Sequence, residues 1–245
     1  RRPARRDGSG QAREGAARRP PRAPHHRPLT HGHHRVAGHP TRERILQASL
    51  QLFNEHGLAA VSTHRIAAET GISAGNLHYH FSTKQKIVEW LLRRFEERID
   101  TLDASAGGIG AIDDLWLALH LRFEAIQAWR FVYRDMGHLA LEYPPLGQRI
   151  RDLNGRSLMA MQALCESLAD ASVIDATPEQ AQTLALQIVF TTTCWLGFEQ
   201  MVPGPAQRPQ GDTGLAAYYT LTLVSPYVSR ESRAYLDYLR AKYLG

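Results

Sequence analysis

The sequence contains little cysteine, and neither cysteine has a neighbour at the spacing of a disulfide framework or a metal site. Cys165 and Cys194 are the two cysteines among 245 residues. So few cysteines in a chain of this length are typical of a reducing cytosol. We therefore predict that both side chains are small core hydrophobes, that no metal is bound, and that the protein is cytoplasmic.

Strands, leader segments and membrane spans are not indicated either. No alternation of polar and apolar residues persists over a strand length, and no apolar segment follows the early arginines as a secretory signal requires. The uncharged stretch 181–198 approaches the length of a membrane span, but Gln182, Gln187 and four threonines would be costly facing lipid. We expect an all-α protein with no membrane partner.

Catalytic groups are missing as well. Asp113 and Asp114 are adjacent, so on a helix they point about 100 degrees apart and do not converge as a carboxylate pair. The glycine cluster at 107–110 lacks the preceding strand and the spacing of a dinucleotide site. His120 and Glu124 lie one helical turn apart without a third metal ligand, which favours a surface pair over pocket lining. We expect no enzyme activity and no cofactor.

Positive charge is concentrated at the start of the chain. The formal net charge is +5, yet residues 1–40 carry ten arginines against Asp7 and Glu14, a net of +8, which leaves −3 for the remainder. This segment has few large apolar side chains, so it cannot bury enough surface to offset the entropy of ordering. We predict a disordered tail at 1–40. It is either foreign to the fold or an arm that grips DNA phosphates without sequence preference.

Helical signals begin where the tail ends. Thr41 is predicted to cap a first helix, and Gly57 to end it in the left-handed conformation. The predicted starts of the next three helices are Ser62 or Thr63, then Ser73, then Ser82 in a capping box with Gln85. The fourth helix is long and has an apolar face formed by Ile87, Val88, Leu91, Leu92, Phe95, Ile99 and Leu102. After a break at 107–110, helices are predicted at about 112–131, 134–143, 146–172, 178–201, 213–225 and 229–244.

The second and third helices have the pattern of a helix-turn-helix. Ala67 is small enough for two helices to approach, and Gly71 permits a sharp turn. Ile66, Ile72 and Leu77 are placed to fill the wedge between the helices. Such a unit holds its second helix rigidly, so that side chains near that helix's start enter the major groove of DNA.

The run from Arg44 to Lys84, including SAGNLHYHF at 73–81, resembles the DNA-binding domain of the TetR family nearly position for position. WRFVYRDM at 129–136 resembles one C-terminal subgroup of that family. The resemblance implies a homodimeric regulator that binds a double-stranded DNA operator and is controlled by a small-molecule effector, most often as a repressor. A helical adaptor that binds only proteins would not need the residues at 73–84.

The resemblance also implies a domain organisation. We predict a DNA-binding domain at 41–88 and a C-terminal dimerisation and effector-binding domain at 89–245, joined by the long fourth helix. The uncharged stretches 181–198 and 213–229 would be apolar on more than one face. Pairing across a two-fold axis would bury them in an intermolecular four-helix bundle.

The third helix, at 73–80, is the predicted recognition helix. Gly75 lets backbone approach DNA closely, and Asn76 offers an amide to a base edge. Lys84 is expected to bind a phosphate together with the start of the fourth helix. The full predicted DNA-contact set is Thr41, Arg42, Thr63, His64, Arg65, Ser73, Gly75, Asn76, His78, Tyr79, His80 and Lys84.

Two positions depart from the family pattern, because His78 stands where tyrosine is more common and Ala74 provides no hydrogen bond. The base preference of a relative therefore cannot be transferred. Aromatic residues of the C-terminal half are either core or the lining of an effector pocket. The predicted pocket residues are Trp116, His120, Phe123, Trp129, Tyr133 and Trp195.

Overall fold

The computed structural model describes residues 40–105, 111–202 and 213–243. Within these ranges the chain forms eleven α-helices and a single isolated antiparallel bridge between Ile174 and Val228, with no extended strand. The all-α prediction is confirmed. The predicted tail, apart from Pro40, and the glycine cluster at 107–110 lie outside the described residues.

The N-terminal helices are α1 (Pro40–His56), α2 (Thr63–Thr70), α3 (Ala74–His80) and α4 (Lys84–Ser105). The remaining helices are α5 (Ile112–Ala128), α6 (Phe131–Arg134), α7 (Met136–Glu142), α8 (Pro144–Asp170), α9 (Pro178–Glu199), α10 (Thr213–Val224) and α11 (Arg230–Ala241). The predicted helix at 134–143 corresponds to α7, and the four-residue α6, which was not predicted, precedes it and meets it at Asp135. Helix α8 begins two residues earlier than predicted, because proline fits the first turn of a helix.

The turn glycines and the caps of α2 and α3 agree with the sequence. Gly57 and Gly71 have φ values of +86° and +71°. The hydroxyl of Ser62 accepts a hydrogen bond from the Arg65 N–H at 3.2 Å, and that of Ser73 accepts one from the Asn76 N–H at 3.2 Å. These bonds satisfy backbone donors that each helix leaves free at its start.

Two predicted caps are wrong. Thr41 lies inside the first turn of α1, because Pro40 already belongs to that helix and needs no N–H partner. The fourth helix is capped by Thr83, whose hydroxyl accepts from the Lys86 N–H at 3.2 Å, rather than by Ser82. Gln85 therefore does not complete a capping box, and its amide donates to Glu89 instead, at 3.2 Å.

Helix α4 connects the N-terminal helices to the C-terminal ones. All seven of its predicted apolar residues are buried, and it packs against α1, α5 and α8. Three carboxylates spaced along α4 form ion pairs with the C-terminal helices: Glu96 with Arg149, Asp100 with Arg156, and Asp103 with Arg122.

The third of these pairs is the most buried. Arg122 is 4% exposed, and it donates to Asp103 and to the hydroxyl of Ser157, which in turn donates to Asp103 at 2.9 Å. Removing one partner of such a buried ion pair strongly destabilises a protein, because the remaining charge is left buried and unpaired. This triad therefore fixes how α4 lies against α5 and α8.

The cysteines are both free, as expected, but they differ in environment. Cys165 is fully buried, and burial raises the pKa of its thiol to about 12. Cys194 is only half-buried, so the prediction of a core residue is wrong for that position. In the described parts of the chain, no helix is long and apolar enough to cross a bilayer.

The ion pairs on α4 predict a contrast between two arginine substitutions. Arg122→Met leaves the Asp103 carboxylate buried without its partner, so the free energy of unfolding should fall by about 3–5 kcal/mol. Arg156→Met removes a pair whose side chains are each nearly half exposed, and should cost less than about 1 kcal/mol. Urea denaturation followed by circular dichroism measures both. Equal losses would show that the buried triad does not hold α4.

Candidate nucleic-acid interface

Helices α2 and α3 cross at the turn that the sequence predicts. The Gly71 N–H donates to the Ala68 carbonyl at 3.1 Å, and the Ile72 N–H donates to the Ala67 carbonyl at 3.0 Å. Ile66 and Leu77 are buried between the helices, which anchors α3 on the rest of the N-terminal unit. Sequence and structure agree that this segment is a helix-turn-helix.

Helix α3 turns a polar, exposed surface outward. Its one buried side chain is that of Leu77. Tyr79 is 83% exposed although it is large and aromatic, and its ring meets that of the half-buried His80 edge-to-face at 5.3 Å. The predicted contact residues Ser73, Gly75, Asn76, His78 and Tyr79 are all exposed.

Gly75 is not required by the fold. Its φ is not positive, and a Cβ built at this position meets no atom within 4 Å. A glycine in a helix costs about 0.5–1 kcal/mol relative to alanine. No neighbour in the described part of the chain explains the missing side chain, and the position is open for the predicted close approach to DNA.

The start of α2 flanks the exposed side of α3. His64 and Arg65 are exposed, and Thr63 is half-buried. The Arg65 guanidinium lies 2.7 Å from Nε2 of His56, at the end of α1. Arg65 is thus oriented by α1 while its remaining N–H groups stay available at the surface.

Arg42 is held more tightly than the sequence indicates. Its guanidinium carbon lies 4.0 Å from the ring centre of Trp90 and 4.9 Å from that of Phe81. This cation–π stacking joins α1, the end of α3 and α4. Arg42 therefore has a packing role that the sequence did not indicate, and its contact with DNA stays a prediction.

The Lys84 side chain turns into the protein, which corrects the geometry expected for a phosphate contact. Its ammonium donates to the Leu58 carbonyl at 2.6 Å and lies 5.9 Å from the ring centre of Phe53. Burial lowers the pKa of Lys84, and the carboxylates of Glu142 and Asp135 oppose that shift. The predicted phosphate contact would have to use one of the two ammonium N–H groups that do not bind the Leu58 carbonyl.

The end of α1 is bound by the segment between α5 and α7, which sequence analysis did not identify as a contact. The Asn54 amide donates to the Ala128 carbonyl at 2.8 Å and accepts from the Phe131 N–H at 3.1 Å. The Arg130 side chain donates to the Asn54 carbonyl at 3.1 Å. These bonds span more than seventy residues of sequence.

Arg134 and Asp135 complete this junction. Arg134 donates to the carbonyls of Asn54 at 2.7 Å and Phe53 at 2.5 Å. Asp135 accepts from the Leu58 N–H at 2.6 Å, just after the turn at Gly57. The last carbonyls of a helix carry partial negative charge and lack partners within the helix, so a guanidinium satisfies them well. The signal was present in WRFVYRDM, but its partners are remote in sequence.

The predicted effector residues do not surround one cavity. Tyr133 and Trp195 line a cavity of about 670 Å³ between α6, α9 and α10. Phe123 is buried in the core, and the Trp129 ring lies 6.0 Å from that of Phe95. The other two residues, Trp116 and His120, stack on each other at 5.1 Å, and His120 Nδ1 lies 2.9 Å from the Tyr243 hydroxyl.

The structure thus brings two of the six predicted residues to one cavity, and thirteen helical positions separate Trp116 from Trp129 by about 20 Å. An effector role for any of the six stays a prediction. His120 and Glu124 do form the expected surface pair, with Nε2 and Oε1 3.5 Å apart. Among the described residues, no group of three His, Cys, Asp or Glu side chains could hold a metal ion.

A rigid helix-turn-helix with an exposed polar recognition helix, attached to a larger helical domain, defines a DNA-binding transcriptional regulator. Comparison with family models agrees. Residues 45–91 match the family described as bacterial regulatory proteins, tetR family, and residues 94–236 match one described as bacterial transcriptional repressor. The second match covers more than half of the chain. The protein belongs to the TetR family of bacterial transcriptional regulators.

Individual relatives support this assignment. The transcriptional repressor KstR2 of Mycolicibacterium smegmatis is 25% identical over 171 residues, which cover 66% of this chain and 80% of that protein. The KstR2 of Mycobacterium tuberculosis is 32% identical over 108 residues, or 41% of this chain and 54% of that protein. A TetR-family regulator from Marinobacter aquaeolei has a crystal structure with a TM-score of 0.73 at 31% identity, covering 83% of this chain and 98% of that one.

The spare space at Gly75 generates a prediction. Gly75→Ala should leave the fold intact or raise the free energy of unfolding by up to about 1 kcal/mol. Its methyl group should nevertheless weaken operator binding by roughly tenfold or more, the effect of losing one close groove contact. Fluorescence anisotropy with labelled operator measures the affinity.

Gly155→Ala is the matched control, because a Cβ at that exposed position in α8 also meets no atom within 4 Å. This variant should gain similar stability and bind DNA like the unmodified protein. Unchanged operator affinity in Gly75→Ala would show that the backbone of α3 does not approach DNA closely.

Proposed function

We propose that the chain acts as a homodimer that represses transcription from a palindromic operator and leaves it when a small molecule binds the C-terminal domain. The observation that carries the proposal is the exposed polar face of α3, held by the tight turn at Gly71. We also propose the domain division at 88/89. The predicted contact residues are the proposed DNA surface, and Arg42 also packs on aromatic rings.

Exposed apolar side chains support the dimer. Leu186, Phe190 and Phe198 lie on one stripe of α9 at intervals of four and eight residues, and each is about half exposed or more. Tyr219 of α10 is 46% exposed. Such a contiguous apolar surface is unfavourable in water and typical of an interface. Pairing α9 and α10 with their two-fold mates would bury it and place two recognition helices in symmetric half-sites.

Repression is supported by the relatives. The two KstR2 proteins that this chain resembles are named as transcriptional repressors. A bound repressor needs a way to be released, and allostery requires an effector with different affinities for the two states.

The contact between Arg134 and the end of α1 connects the C-terminal cavity with the DNA-binding unit. Tyr133 lines the 670 Å³ cavity, and its neighbour Arg134 binds the last carbonyls of α1. Both residues belong to α6, which has four residues. An effector that moves α6 would therefore change the support of α1, and with it the position of α3. By linkage, operator DNA should weaken effector binding by the same factor.

The dimer proposal is tested with DNA that flanks the gene. After footprinting locates a protected palindrome, scrambling one half-site should reduce affinity by more than about tenfold, since one recognition helix loses its base contacts. Binding should weaken steeply as salt rises. Equal affinity for the intact and half-scrambled sites would contradict symmetric recognition.

Lys84 is tested by the salt dependence of binding. Lys84→Ala should weaken binding to all DNA sequences alike and lower the salt slope by about one unit. Lys86→Ala is the control, because the Lys86 ammonium is exposed and paired with Glu89 at 2.7 Å. If both variants keep the parental slope, Lys84 serves only the internal bond to Leu58.

A further inference from the structure

The 670 Å³ cavity opens on the same surface that the proposed dimer would bury. Its rim includes four exposed apolar residues, Phe190, Phe198, Met201 and Tyr219, and its depth reaches Tyr133 of α6. We propose that this cavity is an effector chamber for a neutral, apolar molecule, and that a second copy of the chain closes its mouth. The inference rests on the dimer proposed above.

The lining determines the charge of the ligand. None of the thirteen described residues that line the cavity is Asp, Glu, Lys, Arg or His. An ion in such a surrounding would lose its hydration without gaining a counter-charge, which is strongly unfavourable. Burial raises the pKa of the Tyr133 phenol to about 12, so this group stays neutral as well. The chamber therefore selects uncharged molecules.

Most polar groups of the lining already have partners within the chain. The hydroxyl of Thr191 donates to the Gln187 carbonyl at 2.8 Å, and that of Thr222 donates to the Tyr218 carbonyl at 2.8 Å. The Tyr133 hydroxyl donates to Asn154 at 3.2 Å. These groups add shape to the chamber but are not its free donors.

The apolar surface extends beyond the chamber. Leu186 is 54% exposed on the same stripe of α9 as Phe190, one turn earlier, but it does not line the cavity. From Leu186 to Phe198 the stripe runs about 18 Å along the helix. A ligand in the cavity cannot cover this length, whereas a paired helix from a second copy can, which is why the partner is the expected roof.

The charge selectivity is tested with two dyes that share one skeleton. N-phenyl-1-naphthylamine is neutral, and 8-anilino-1-naphthalenesulfonate adds a sulfonate to the same rings. We expect the neutral dye to bind once per chain, at least tenfold more tightly than the sulfonate, and Cys194→Trp, which fills the cavity, to abolish its binding. Equal affinities, or neutral-dye binding that Cys194→Trp leaves intact, would overturn the proposed chamber.

Closure of the cavity mouth by a second copy of the chain is tested with a variant outside the cavity. Leu186→Glu should give monomers in sedimentation and weaken N-phenyl-1-naphthylamine binding at least tenfold. Leu141→Glu, at an 85% exposed position on α7, should do neither. A monomeric Leu186→Glu protein that binds the dye normally would show that the partner does not close the cavity, while leaving the dimer proposal intact. A Leu186→Glu protein that stays dimeric would instead contradict the α9 stripe as the interface, and the dye ratio would still report on the cavity.

Discussion

The bond between the Arg134 guanidinium and the last carbonyls of α1 ties the DNA-binding unit to the C-terminal helices across about eighty residues of sequence. It adds to the bonds that the Phe53 carbonyl accepts from the Gly57 N–H at 3.0 Å and the Asn54 carbonyl accepts from the Arg130 side chain. Helix α1 supports α2 and shares a core with α3. A second attachment, the row of ion pairs on α4, holds the same unit from its other side.

These two attachments differ in how easily a bound ligand can change them. The pairs on α4 include a buried triad at Arg122, which resists change. The junction at Arg134 consists of half-buried hydrogen bonds to backbone carbonyls. The neighbouring residue, Tyr133, lines the cavity. A ligand that displaces α6 therefore acts on the weaker attachment. This arrangement can couple a neutral effector to DNA affinity through a few atoms, without unfolding either domain.

The sequence alone predicts the helix-turn-helix well because its determinants are local. Ser62, Ser73 and Gly71 act on backbone groups within a few residues, and a spacing rule captures such contacts. The same rule cannot place Lys84, whose partner Leu58 is 26 residues away, or the junction at Arg134. The predicted effector residues do not all line one cavity, for a related reason. Aromatic composition identifies the helices that hold a cavity but not which faces meet around it.

The distance between the two recognition helices of a dimer tests the central claim most directly. Spin labels at His78→Cys, with Cys165 and Cys194 replaced by serine, report that distance by pulsed electron resonance. With Arg134 present, we expect one narrow distribution of label-to-label distances near the half-site separation of about 34–36 Å, allowing for the length of the label arms. Arg134→Met should broaden or shift it, whereas Arg156→Met should not. An unchanged narrow distribution in Arg134→Met would contradict the claim that this junction positions the DNA-binding unit.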